Sequence, residues 1–394
     1  MVAWVAQFVC LLGFDACFPF APFYMRELGL TDPDSLKLWT GAIMSLSTVA
    51  MAIVSPIWGM VADRRGPWLM VVRSAFGGAI TLVAMALAAN ATQFFIIRVI
   101  QAALTGFNLA FVMFVSANAP PSRLAFSLGV MQMGGYLGYS VGPVIGGLVA
   151  DRFGYRLLYA GAAILLVCGG GLIFSLSPRS SAGPGSVTNR TAIRSGLDAI
   201  GRSRSLWTVL AAIAAIYAAT SLAQPVLPLF IESLTNKPSA LNTSTGTVYG
   251  VVSLASAISA LMIGRLGDTV SYRGILILGT SGLAMIYLGH ALTSSWIALL
   301  AVTFGRGLLV GGLIPTMNTV VGQIAPRNQQ STVYGLGYTL SAGGRMIAPT
   351  LGGAIAAAWG TRSAFIAAAV LFGLVAAWLS LTPDSSRTTI DPND

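Results

Sequence analysis

Asp15 is the residue with the most chemistry open to it. Every other acidic residue falls in a loop, at the end of an apolar run or in a tail, whereas Asp15 lies in the middle of a run. Arg98, within RVIQAALTG at residues 98–106, sits inside another. A guanidinium there costs at least about 2.5 kcal/mol on insertion scales unless it faces water or a partner. Counted at about 1.5 Å per residue, Asp15 is roughly 14 Å and Arg98 roughly 9 Å from the same end of their helices, close enough in depth to interact. A carboxyl that alternates between an apolar setting and one lined by a guanidinium can load and release a proton. A purely structural pairing, with Asp15 only neutralising Arg98, uses the same two residues. Arg306 and Arg345 also lie within apolar runs, so three cations stand against one acid. A cavity lined by them suits anionic, zwitterionic or neutral molecules better than strongly cationic ones.

The elements that must position these residues follow from composition. The 394 residues are 55% hydrophobic and 9% charged, with a mean hydropathy of +0.79, against roughly a quarter charged in soluble domains. Apolar segments of about twenty residues recur between short polar breaks, so the chain is an all-α integral membrane protein. Spans fall at about 2 to 24, 38 to 61, 69 to 89, 92 to 114, 124 to 149, 155 to 176, 206 to 231, 245 to 267, 274 to 291, 295 to 315, 329 to 356 and 360 to 381. The first is read as a retained span with no cleavage site. Residues 1–176 form one six-helix half, 177–205 a polar linker, 206–382 a second half and 383–394 a tail.

The net charge of +10 reflects membrane orientation and not nucleic acid, because the basic residues are spread over short loops without interleaved aromatics. Arg64, Arg65, Arg73, Arg123, Arg179 and the linker arginines fall on one side of the membrane; Arg26, Lys37, Arg152, Arg156, Lys237 and Arg362 fall on the other. The positive-inside rule then places both termini and the linker in the cytoplasm of an inner or plasma membrane. Cys10, Cys17 and Cys168 read as buried small hydrophobes and His290 as an interfacial residue at a span end. There is no metal cluster, no nucleophile with its base, and no phosphate-binding loop, so neither an enzyme nor a cofactor is expected.

The chain also repeats itself. Gly59 and Asp63 return as Gly264 and Asp268, Pro19 and Pro22 as Pro225 and Pro228, and Pro143, Gly147, Gly154 and Arg156 as Pro349, Gly353, Gly360 and Arg362. Duplicated halves place a binding site at their interface near the bilayer midplane, reached alternately from each side.

The turn Gly59, Asp63, Arg64 and Gly66 matches a G-x-x-x-D-R-x-G pattern after the second span, and the chain resembles the twelve-helix drug:proton antiporters of the major facilitator superfamily. In that family the turn latches the cytoplasmic side, which for this chain implies a contact between Asp63 and residues 329–332. Pro67 and Trp68 replace the basic residues that usually follow. An Arg followed by Gln three residues later matches Arg98 and Gln101 and implies proton coupling together with Asp15. Gly138, Gly142, Pro143, Gly146 and Gly147 resemble the antiporter motif of the fifth span, and Ala348 departs from it in the eleventh. The resemblance implies a monomeric, proton-coupled exporter of small amphipathic molecules, with protons, a small-molecule substrate and the lipid bilayer as partners. The alternatives are a proton-linked importer of a small metabolite, or a membrane receptor or enzyme on the same fold. Candidate cavity linings are Phe18, Asn108, Met131, Gln132, Tyr136, Gln224, Asn318, Arg306 and Arg345.

Overall fold

A computed structural model of the chain describes residues 2–120, 123–177, 204–235, 238–266, 272–324 and 330–381. The helices are α1 Val2–Cys17, α2 Ala21–Glu27, α3 Pro33–Arg65, α4 Pro67–Ala86, α5 Ala91–Leu104, α6 Phe107–Asn118 and α7 Leu124–Leu176 in the first half. In the second half they are α8 Arg204–Leu222, α9 Leu227–Leu234, α10 Leu241–Leu266, α11 Tyr272–Leu292, α12 Trp296–Ile324, α13 Gln330–Trp359 and α14 Thr361–Leu381. Among the described residues, nine stretches are long and apolar enough to cross a membrane. One of them, Phe126–Leu176, holds two spans, because α7 is broken at Gly154, whose φ of 77° and ψ of 171° lie outside the helical region.

Local chemistry sets the ends of these rods. At α3, the Asp32 carboxylate accepts from the Ser35 amide at 2.7 Å, and Pro33 and Asp34 occupy the first turn. The same helix ends where Gly66, at φ 85°, donates its amide to Ala62. Only glycine takes that backbone without strain, and Pro67 then starts α4. The expected tight turn after the second span is therefore present. α5 starts in the same manner, with Asn90 accepting from the Gln93 amide at 2.9 Å.

Each half has its own core. Large side chains such as Phe20, Tyr24, Phe94 and Phe111 fill the first, and Phe230, Tyr287, Phe365 and Phe372 fill the second. His290 belongs to the second core: it is fully buried, stacks on Phe365 and bonds to Ile286 O at 2.9 Å and the Thr303 hydroxyl at 3.2 Å. The interfacial reading of His290 is thus corrected: it lies on the face of the last turn of α11 that packs on Thr303 of α12 and Phe365 of α14, while Leu292 in the same turn is exposed. Cys10 and Cys17 are buried as expected, whereas Cys168 is exposed on the outer surface of α7.

Candidate functional site

Among the described residues, three spans are broken where the halves meet. Pro19 and Pro22 divide α1 from α2 through a 3-10 turn at Phe18–Phe20, and Pro225 and Pro228 divide α8 from α9. A proline removes a helix hydrogen bond and clashes with the preceding turn, so the same bend arises in both repeats. The third break, between α5 and α6 at Thr105 and Gly106, carries no proline and was not legible in the sequence. Its freed carbonyls are taken up by side chains. Trp58 Nε1 donates to Ala103 O at 2.8 Å, and Arg73 Nη1 donates to Leu104 O at 2.7 Å, with the Arg73 guanidinium 3.7 Å above the Trp58 ring. Arg73 is therefore an internal helix cap and not the loop charge that the orientation count takes it for.

Two cavities lie beside these breaks. Lobe A, of about 240 Å³, is lined by Phe14, Phe18, Arg98, Ser221, Gln224, Tyr249 and Arg345, among others. Lobe B, of about 390 Å³, is lined by Asp15, Phe18, Tyr136, Tyr139, Gln224, Tyr249 and Arg306, among others. Phe18, Gln224 and Tyr249 form a wall common to both. The lobes are counterparts under the repeat: Phe18 matches Gln224, Pro349 matches Pro143, Ser221 of lobe A matches Asp15 of lobe B, and Arg345 of lobe A matches Tyr139 of lobe B. Arg98 lies on the fourth span and Arg306 on the tenth, but they are not counterparts: at the repeat offset of 205 to 206, Arg306 matches Gln101 or Ile100.

The geometry changes one expectation. No ion pair within 4 Å joins Asp15 to Arg98 among the described residues, where the salt bridges are Arg26 with Glu232 and Lys37 with Asp34. Phe14 and Phe18 are four residues apart and share the face turned to Arg98, at 5.2 and 5.9 Å from ring centroid to guanidinium carbon. Asp15, one residue on, is rotated by about 100° into lobe B. Its Oδ2 is buried with no hydrogen-bond partner. Arg98 Nη1 instead donates to Gln101 Oε1 at 2.5 Å, so the spacing of three brings those two together. The Arg345 guanidinium lies 4.9 Å over the Tyr217 ring.

Of the cavity candidates, Phe18, Tyr136, Gln224, Arg306 and Arg345 line a lobe. Met131 is packed in the first core and Gln132 is exposed, and neither is among the lining residues of the two lobes. Asn108 touches lobe B through Tyr139, donating to its hydroxyl at 2.9 Å. The side chains of Asn318, Asp63 and residues 330–332, together with residues Asp268 and Gln329, lie outside the described part, and with them the expected contact of the turn. Arg64 is exposed, and a Cβ at Gly59 would meet nothing within 4 Å. Gly264 lies near the end of α10. Sequence reasoning missed Tyr249 and Tyr139, which look like ordinary packing aromatics until helix rotation is known.

The motif of the fifth span has two working faces. Gly138, Gly142 and Gly146 form a stripe against α1: a Cβ at Gly142 would sit 2.8 Å from Leu12 O, and one at Gly146 would collide with the Ala16 backbone. Gly147 and Pro143 face the other half, where they meet Asn242 and Gly246 of α10. The repeat makes the same contact again, since Gly41 of α3 abuts Pro349 and Gly353 abuts Lys37. Both contacts lie at the end of the bundle that carries Arg26.

Further bonds seal that end. Arg26 pairs with both oxygens of Glu232 at 2.5 and 2.7 Å. These two residues are counterparts in the repeat, so each meets its own equivalent at the pseudo-two-fold axis with opposite charge. Nearby, Asp151 Oδ1 accepts from the Asn242 amide and side chain at 3.1 and 2.9 Å, and Oδ2 accepts from the Thr243 amide and hydroxyl at 2.8 and 2.6 Å. Tyr155 adds a bond to Asn242 Oδ1 at 3.0 Å.

A family model for the Major Facilitator Superfamily matches residues 3–293 and 238–394, nearly the whole chain. The chain belongs to the Major Facilitator Superfamily. Among its relatives, the multidrug resistance protein MdtG of Proteus mirabilis (strain HI4320) is 31% identical over 383 residues, covering 96% of this chain and 94% of that protein. The fold is also that of solved transporters. The nucleoside transporter NupG superposes with a TM-score of 0.81 at 12% identity, covering 97% of this chain and 100% of NupG. A bacterial homologue of the lysosomal transporter Spinster gives 0.77 at 14% identity, covering 96% and 95%. The protein is a multi-pass membrane transporter of this superfamily, and two lobes at the interface of its duplicated halves are its candidate site.

Proposed function

We propose that this superfamily member is a proton-coupled exporter of small amphipathic molecules, working by alternating access as a monomer, with both termini in the cytoplasm. The observation that carries the reading is the joint placement of the two lobes. They lie between the halves, share the wall of Phe18, Gln224 and Tyr249, and are shut off at one end by cross-half contacts. With the Asp63 turn cytoplasmic, the sealed end faces outward, as the inward-facing state of this cycle requires. Relatives named for multidrug resistance over nearly the full length favour export.

In this scheme the halves rock about the wall at the breaks. Opening the outer end separates Arg26 from Glu232 and Asp151 from Asn242 and Thr243, while the Asp63 turn closes the inner end as a latch. Asp15, the acid of lobe B, is the coupling carboxyl; proton and substrate occupy adjoining lobes of one cavity and so oppose one another through the shared wall. Gln101 holds the Arg98 guanidinium in lobe A. Reconstitution in vesicles of known orientation tests the direction. An exporter drives substrate out of the compartment facing the Asp63 turn when protons flow toward that compartment. Accumulation of substrate together with inward proton flow would instead show an importer.

A further inference from the structure

Lobes A and B descend from one duplicated site, yet their charges have diverged. Lobe A carries two guanidiniums, Arg98 from the first half and Arg345 from the second, and no acid is among its lining residues. Lobe B has one, Arg306, and balances it with Asp15. Two counterpart pairs show the divergence: Arg345 stands where lobe B has Tyr139, and Asp15 stands where lobe A has Ser221. A cationic cavity between low-dielectric walls attracts anions, and two planar guanidiniums offer the fork geometry that carboxylate and phosphate oxygens fit. Beside the charges, lobe A has an apolar wall of Phe14, Phe18, Ile43 and Met44, and hydroxyl and amide side chains such as Thr40, Ser221 and Gln224 complete its lining. Few polar groups set in an apolar cleft are what fixes the orientation of an amphipathic ligand.

We propose that lobe A is a binding site for amphipathic anions, whose carboxylate head sits between Arg98 and Arg345 while the apolar body packs on Phe14 and Phe18. Lobe B, formally neutral, is left for the proton. The two copies of an ancestral site have divided the work of exchange between them, one taking the substrate anion and the other its counter-ion. The inference rests on the transporter reading for its physiological meaning, but its test needs no gradient and stands apart from transport.

The experiment measures equilibrium binding to the full-length protein in lipid nanodiscs with three probes that share one apolar body: naphthylacetate, naphthylethanol and naphthylethyl-trimethylammonium. The anion should bind at least tenfold tighter than the alcohol, and the cation most weakly. Arg345→Gln should remove that preference while leaving the alcohol's affinity within threefold, which also reports that the cavity is intact; Arg345→Lys should keep part of it. Arg306→Gln in lobe B should leave the preference in place. A cation bound as tightly as the anion, or a preference lost with Arg306→Gln and kept with Arg345→Gln, would overturn the proposal. Should Arg345→Gln lose the alcohol as well, Arg345→Lys decides: loss of the anion preference there counts against the site. Discs of zwitterionic and of anionic lipid separate the sources of the anion. Equal affinity in both supports a free anion, whereas binding abolished in anionic discs assigns lobe A to a lipid head group and overturns the proposal.

Discussion

Reversing one charge on the pseudo-two-fold axis should open the sealed end. Arg26 and Glu232 meet in a two-pronged pair, with side chains 39% and 30% exposed. Two unit charges about 4 Å apart interact by about 1 kcal/mol in water and about 4 kcal/mol at an effective dielectric of 20. Because the pair is partly exposed, about 1 kcal/mol is the fitting figure for the attraction. Glu232→Arg replaces it with a repulsion of similar size, a swing of about 2 kcal/mol, or about 30-fold in the ratio of closed to open. The double variant Arg26→Glu with Glu232→Arg restores the pair with its charges exchanged. The assay is the labelling rate of Gln224→Cys by an impermeant thiol reagent added from the Arg26 side, in a background without Cys10, Cys17 and Cys168. Gln224 is in the wall common to both lobes, so it is reached from that side only when the end opens. Labelling should rise at least tenfold in the single variant and return to within threefold of the parent in the exchanged pair. An unchanged rate in the single variant, or an exchanged pair as open as the single one, would refute the gate.

Three further outcomes follow from the same geometry. Asp151→Ala removes four accepted hydrogen bonds across the halves; at about 0.5 to 1.5 kcal/mol each, and with Asp151 half-buried, the closed state should lose about 2 to 4 kcal/mol, read as faster labelling in the same assay. Gly142→Ala should impair transport and lower thermal stability by about 1 to 3 kcal/mol, since the added methyl meets Leu12 O at 2.8 Å, whereas the equivalent Ala348 is native to the eleventh span; a variant as stable and active as wild type would reduce the stripe to generic packing. Arg98→Ala should abolish coupled transport and Arg98→Lys should restore little of it, because Lys cannot reproduce the planar fork held by Gln101; full rescue in a flux assay would show that charge alone matters.

Much of this architecture could be read from residue order, because lipid allows so few alternatives. Apolar runs of helical length and the recurrence of Pro19, Pro22 and Pro143 at one offset indicated two six-helix halves, and the bends at Phe18–Phe20 and before Leu227 sit where those prolines require them. What could not be read depends on rotation about helix axes. Asp15 and Phe14 are sequence neighbours, yet one faces lobe B and the other lobe A. Met131, Gln132 and Tyr136 look equally fit for a cavity in sequence, and of the three Tyr136 lines lobe B. Arg26 and Glu232 read as ordinary span-end charges, because a charge facing water and a charge facing the pseudo-axis leave the same trace in sequence. The break at Thr105 and Gly106 was hidden because the groups that stabilise it, Trp58 and Arg73, lie on other helices.

The central claim is that Asp15 couples proton entry to substrate exit, and Asp15→Asn tests it most directly. The amide has the shape of the protonated acid, so probe binding in lobe A should stay within about threefold of wild type. The measurement is uphill efflux in proteoliposomes of known orientation under an imposed pH gradient, with substrate at equal concentration on both sides at the start. Wild type should concentrate substrate on the side from which protons enter, and Asp15→Asn should only let it equilibrate. A variant that builds the same substrate gradient as wild type would contradict the account and send the proton by a route that does not pass through lobe B.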